Sequence, residues 1–157
     1  MSDSSPLPTL IELARQRVDD AARALGEAVR NADAARAKLA LLARYRDDYA
    51  RRFQAGLERG LSTMYYTNFR SFLDKLESAA RGQEDAVRDA EGYVEVRRSA
   101  WEAATRKRDS FLTLLDRATI EKKRVEDKRE QRLTDEHAVR SGRTRRGTPI
   151  DKGLANS

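Results

Sequence analysis

Cysteine is absent from this 157-residue chain, so it has no disulfide, no thiolate nucleophile and no sulfur-ligated metal. Proline is missing between Pro8 and Pro149, which removes the strongest helix breaker from that whole span. Only one histidine occurs, His137, and it sits among charges near the C-terminal end. A two-histidine metal site is therefore excluded, and nothing around His137 suggests a Ser/His/Asp arrangement. The eight glycines are scattered singly, which excludes a glycine-rich phosphate loop. No run of about 18 apolar residues exists to span a bilayer. The first ~10 residues are polar and carry two prolines, with no apolar core of a signal peptide. The chain is expected to be soluble and cytoplasmic.

What is present is charge and a repeat. Charged residues make up 37% of the chain and hydrophobic ones 39%, a poor ratio for an ordinary compact domain of this length. The apolar residues instead follow a 3-4 spacing. One seam runs Leu7, Ile11, Ala14, Val18, Ala21, Leu25, Ala28 and on through Ala32, Ala35, Leu39, Leu42, Arg46, Tyr49 and Phe53. A second runs from Phe69 and Leu73 through Val87, Val94 and Trp101 to Leu115 and Ala118, with Gln83, Arg97 and Arg108 as its polar members. A strict 3.5-residue period over this length predicts a coiled coil, because a straight 3.6-residue helix would drift off the seam.

The expected fold is all-α: a long two-helix antiparallel coiled-coil hairpin with a disordered C-terminal tail. Residues 1–6 form a polar leader, helix one runs over about 7–55, the turn over 56–61, and helix two over about 62–140. The turn is marked by Gly56 and Gly60, with Ser62 or Thr63 placed to cap the second helix. Residues 141–157 read as a disordered basic tail. If the turn lies near residue 61, facing seam positions sum to about 122. Phe53 then meets Phe69, Ala35 meets Val87, Ala28 meets Val94 and Ala21 meets Trp101, so large repeatedly faces small. Leu25 opposite Arg97 and Ala14 opposite Arg108 fit less well, although arginine can bury its stem and keep its head wet.

No catalytic constellation emerges. Acidic pairs such as Asp19-Asp20, Asp47-Asp48 and Asp135-Glu136 point ~100° apart on a helix and read as solvated charge. The chain is expected not to be an enzyme and to use no cofactor and no metal. Net charge is +6, which raises nucleic acid as a partner. Yet Lys122 to Arg132 is diluted by Glu121, Glu126, Asp127 and Glu130, unlike a helix that enters a DNA groove. A nucleic-acid-binding or general scaffolding coiled coil remains the alternative function.

Seven aromatic residues (Tyr45, Tyr49, Phe53, Tyr65, Tyr66, Phe69 and Phe72) gather near the turn. Some must cap the hairpin core. Two stripes also share one spacing: Lys38, Leu42, Tyr45, Tyr49 on helix one and Phe72, Leu76, Ala79, Gln83 on helix two. Paired antiparallel, they fall along one side and lie slightly off the seam, as an exposed partner face would.

The segment from Leu10 to Glu27, LIELARQRVDDAARALGE, resembles the start of FliJ, the coiled-coil family of the flagellar type III export apparatus. The likeness continues through Leu39, Leu42, Tyr45, Tyr49, Asn68, Phe72, Leu76, Glu77 and Trp101, covering roughly residues 7–140. The resemblance implies a two-helix hairpin similar to the central stalk of rotary ATPases. It implies binding to the hexameric flagellar export ATPase, to the cytoplasmic domain of the export-gate membrane protein, and to flagellar export chaperones in an escort role. Location would be cytoplasmic, held peripherally at the inner face of the cell membrane through those partners. The gate-binding face implied by the resemblance is Lys38, Leu42, Tyr45, Tyr49, Phe72, Leu76, Ala79 and Gln83. Lys38 and Gln83 stand where the resemblance implies Gln and His. The ATPase would grip the open end of the hairpin, where no motif assigns individual residues. The close Val-Asp-Asp-Ala-Ala-Arg match argues for the flagellar system over a virulence secretion system.

Overall fold

A computed structural model describes residues 5–60 and 62–147; the rest of the expected leader and tail, and Leu61 in the expected turn, lie outside the described residues. Two α-helices account for almost all of it: α1, Leu7–Arg59, and α2, Thr63–Arg146. No strand occurs among the described residues. Helix α1 begins where Ser5 Oγ accepts the Leu7 N–H at 3.3 Å, and it carries proline in its first turn, where a missing N–H has no intrahelical partner to lose.

The chain divides into two units, Met1–Asp109 and Ser110–Ser157. In the first, α1 packs antiparallel against α2 up to Asp109. Phe53 lies 6.1 Å from Phe69 ring to ring, and Ala28 and Ala32 cluster with Val94. Both observations agree with the register read from the sequence. Every position of the first seam from Leu7 to Phe53 is buried or half-buried. The most enclosed residues are small: Ala32 at 1%, Ala28 at 2% and Ala80 at 3% exposure. Two helices alone surround only the residue directly between them. Larger seam residues therefore keep an edge in water, and among the described residues no large side chain is fully buried. Arg97, expected to fit poorly opposite Leu25, turns its head outward, donating from Nε to the Tyr93 hydroxyl at 2.9 Å with its guanidinium 4.9 Å from that ring's centroid.

Three boundaries differ from the sequence reading. Gly56 does not open the turn; α1 continues through it to Arg59. The break comes at Gly60, whose φ of 78° only glycine adopts cheaply and whose N–H caps the Leu57 carbonyl at 3.3 Å. Ser62 then caps α2, its Oγ accepting the Tyr65 N–H at 3.3 Å. Helix α2 also continues past residue 140 to Arg146, with the Thr144 hydroxyl donating to the Arg140 carbonyl at 2.8 Å. One internal glycine, Gly142, costs about 1 kcal/mol and does not stop a helix whose neighbours favour it. Finally, the second seam stops burying residues earlier than its spacing suggests: Leu115 is 38% exposed, and Ala118 is exposed.

In the second unit the described chain is the continuation of α2. Every residue from Thr113 to Gly147 is exposed, including Ile120, Val125, Leu133 and Val139.

Candidate functional site

The turn end of the first unit holds a linked set of aromatic rings. Tyr49 on α1 lies 4.4 Å from Phe72 and 5.9 Å from Phe69, and Phe53 lies 5.2 Å from Tyr66. These tilted contacts suit ring quadrupoles and hold the side chains in place. Tyr49, Phe53 and Phe69 are half-buried and form the inner layer. Tyr45, Tyr65 and Phe72 form the outer edge, at 49%, 59% and 41% exposure.

The two stripes read from the sequence split by burial. Leu42, Tyr49, Leu76 and Gln83 are half-buried, whereas Lys38, Tyr45, Phe72 and Ala79 are exposed. The Tyr49–Phe72 contact joins the stripes across the helix pair and so places them on one side. The opposite side is closed by charge: Arg36 donates from Nε to Glu91 Oε1 at 3.0 Å across the pair, and from Nη1 to Asp33 at 2.8 Å along its own helix. The exposed aromatic side therefore faces away from an ionic edge.

Gln83 behaves differently from the other stripe members. Its side-chain amide donates to the Ala35 carbonyl oxygen of α1 at 3.0 Å. One of its two N–H donors is engaged inside the helix pair. The acceptor is a backbone carbonyl, so no residue pairing in the sequence could have announced it.

Sequence reasoning counted Tyr65 only as part of the aromatic group, and Phe69 also as a seam residue opposite Phe53. The structure places both, with Asn68, Tyr49 and Phe72, around an open surface hollow. The signal was available: Tyr65 lies one heptad before Phe72. Among the described residues no group of three or more His, Asp or Glu gathers to hold a metal, and no helix is long and apolar enough to cross a membrane. What the first unit offers is a face, lined by aromatic and small residues, suited to another protein.

The model of the flagellar FliJ protein family matches residues 3–147. This chain belongs to that family. It is similar to the flagellar FliJ protein of Salmonella typhi, 28% identical over 141 residues that cover 90% of this chain and 96% of that protein. The flagellar FliJ protein of Escherichia coli (strain K12) is 26% identical over the same shares. Near-complete coverage of both chains carries the assignment, because a shared heptad composition alone would align in fragments. FliJ membership makes the chain a component of flagellar protein export.

Proposed function

We propose that this chain is a non-enzymatic connector in flagellar type III export, with two working ends. The face at the Gly60 turn binds the cytoplasmic domain of the export-gate membrane protein. The end remote from the turn binds the hexameric export ATPase as a central stalk, and the same protein escorts export chaperones. Its position at the inner face of the membrane follows from those partners. The observation that carries the reading is the aromatic junction, in which Tyr49 meets Phe72 at 4.4 Å while Tyr45 and Phe72 keep large exposed edges. Exposed aromatic area on a rigid helix pair is costly unless covered, and aromatic anchors dominate protein interfaces. At the other end, an asymmetric helix in a ring touches each subunit differently and can bias their states through those differences.

Two assays test it. The purified gate domain should bind the wild-type chain, and Tyr45→Ala or Phe72→Ala should weaken binding about tenfold or more while helical content is unchanged. Undiminished binding by both variants overturns the face. For the stalk role, the chain should stimulate ATP hydrolysis by the purified export ATPase and saturate well below one chain per subunit. Absence of binding and stimulation refutes it.

A further inference from the structure

Charge is distributed unevenly around the part of α2 that lies in the second unit. At about 100° per residue, the positions that carry the second seam's spacing past Leu115 stay on one side of the helix. That row holds Lys122, Arg129, Arg132, Arg143 and Arg146, with Ala118, Val125 and Val139 between them and Glu136 as its one acid. Arg117, Arg124, Lys128 and Arg140 lie on the same half of the helix surface, as do Glu121 and Asp135. Over residues 117–146 this half therefore carries nine basic side chains against three acidic ones. The other half carries Lys123 and Arg145 against Glu126, Asp127 and Glu130.

The basic groups on this half are not engaged within the chain. In the first unit Arg36, Arg51, Arg70 and Arg98 each pair with an Asp or Glu. Among the described residues none of the nine basic side chains on the charged half of the second unit has such a partner. All nine are exposed. Lysine or arginine at five positions of the row also argues against covering by the apolar seam of another helix, because a buried cation without a partner is strongly disfavoured. The face calls for a negatively charged partner.

Three features choose among anionic partners. First, the face extends about 44 Å along the helix from Arg117 to Arg146. A nucleic-acid duplex curves away from a rod outside one groove, about 12 Å wide, and a helix that reads a groove carries an undiluted basic run. A flat anionic surface instead meets the whole length. There the positive surplus, summed over a Debye length of about 8–10 Å, outweighs the interspersed Glu121, Asp135 and Glu136. Second, residues 117–146 contain no Phe, Tyr or Trp, so single-stranded nucleic acid finds no ring to stack on. Third, the apolar residues of the face are Ala118, Val125 and Val139, whereas Ile120 and Leu133 lie on the other half. The helix is suited to lie on charged headgroups and has no large apolar anchor to sink below them.

We propose that the basic half of α2 between Arg117 and Arg146 adsorbs to an anionic phospholipid bilayer, the helix lying parallel to the surface with Arg129 and Arg132 toward the headgroups. Binding is electrostatic and peripheral, since each basic side chain near the surface adds to the attraction and none of the apolar ones inserts. Adsorption holds the chain at a membrane before any protein partner is engaged. It goes beyond the ATPase reading given above for the end remote from the turn and rests on neither protein partner; ring and bilayer compete for the same helix.

The experiment uses the full chain and sedimentation with vesicles, one set of phosphatidylcholine alone and one of equal parts phosphatidylcholine and phosphatidylglycerol. The chain should bind the anionic vesicles and not the neutral ones, and raising NaCl from about 0.05 to 0.5 M should release it. Arg129→Gln combined with Arg132→Gln removes charge from the face, and Lys123→Glu changes the net charge by the same amount on the other half. The first should weaken binding about tenfold or more and the second less than about threefold, with helical circular dichroism unchanged in both. Equal losses would mean that net charge alone acts, and overturn the sided contact. Because the chain has no cysteine, single nitroxide labels can be placed through Val125→Cys and Thr134→Cys. On anionic vesicles the label at 125 should lose access to a water-soluble relaxing agent while the label at 134 keeps it; equal access overturns the orientation as well. No binding to anionic vesicles overturns the proposal and leaves an acidic protein surface as the partner. Tighter binding to duplex DNA than to the vesicles at equal phosphate overturns it in favour of nucleic acid.

Discussion

Gln83→Glu is the sharpest test of how the helix pair is held. The wild-type amide donates to the Ala35 carbonyl at 3.0 Å from a half-buried position on the seam. A glutamate keeps the shape but, once ionised, has no proton to donate and sets an anionic oxygen against a carbonyl oxygen. Losing a neutral hydrogen bond costs about 1 kcal/mol, and a partly desolvated, unpaired acceptor adds about 1–2 more. Because the position is only half-buried, the side chain can swing partly into water, so the net loss is about 1–3 kcal/mol. For a chain of this size that lowers Tm by roughly 3–10 °C. Gln83→Leu supplies the contrast: it loses the same bond but buries more apolar area at a seam position, and should fall within about 1 kcal/mol of wild type.

The pH dependence has a definite sign. The glutamate introduced at 83 would have its folded-state pKa raised above the unfolded value of about 4.3, since burial and the carbonyl both disfavour the charge. Its protonated form can donate to Ala35 as the amide did. Stability is thus fully present below the unfolded pKa and is lost as pH rises through the higher folded one. Thermal unfolding followed by helical circular dichroism should therefore show the deficit of Gln83→Glu at pH 7 and its narrowing toward pH 4. A variant that melts with wild type at pH 7, or whose deficit widens in acid, refutes the bond as a structural element. The outcome also bears on Gln83 as a gate-face residue, because an amide engaged with Ala35 keeps only one N–H for a partner.

The heptads were legible because burial between two helices depends on little besides period. From Leu7 to Phe53, spacing alone named the positions that the structure encloses. The Tyr49–Phe72 junction followed from that spacing plus an antiparallel register. The turn was less legible, since Gly56 and Gly60 are the same residue in similar surroundings. What separates them is backbone: the positive φ falls at Gly60, with Ser62 placed two residues later to cap α2. Gln83 looked like a polar lapse in the seam, or a contact on the face, because its acceptor is a main-chain oxygen.

The remaining expectations follow from single contacts. Gly60→Ala meets no atom within 4 Å at its new Cβ, so its cost is backbone strain alone, about 1 kcal/mol or 2–4 °C in Tm; an unchanged melt would mean the turn relaxes freely. Val94→Ala removes the largest buried side chain of the Ala28–Ala32 cluster and should cost about 1–2 kcal/mol in urea unfolding. A loss under a few tenths would show that the helices close up over the gap. Limited trypsin digestion should cut first between Arg117 and Arg146. Every residue from Thr113 to Gly147 is exposed, so helix there has no tertiary burial behind it and must rest on its own propensity, which is marginal in water. Opening is then cheap, and cleavage follows the open population. Within the first unit, by contrast, cutting at Arg36 or Arg97 requires parting the seam at the Arg36–Glu91 bridge or the Val94 cluster. The early product should be a fragment retaining residues 7–109, read by mass. Early cutting at Arg36 or Arg97, with Arg117 to Arg146 intact, would mean that exposed helix is held by something other than packing, and would overturn the argument from exposure to local stability.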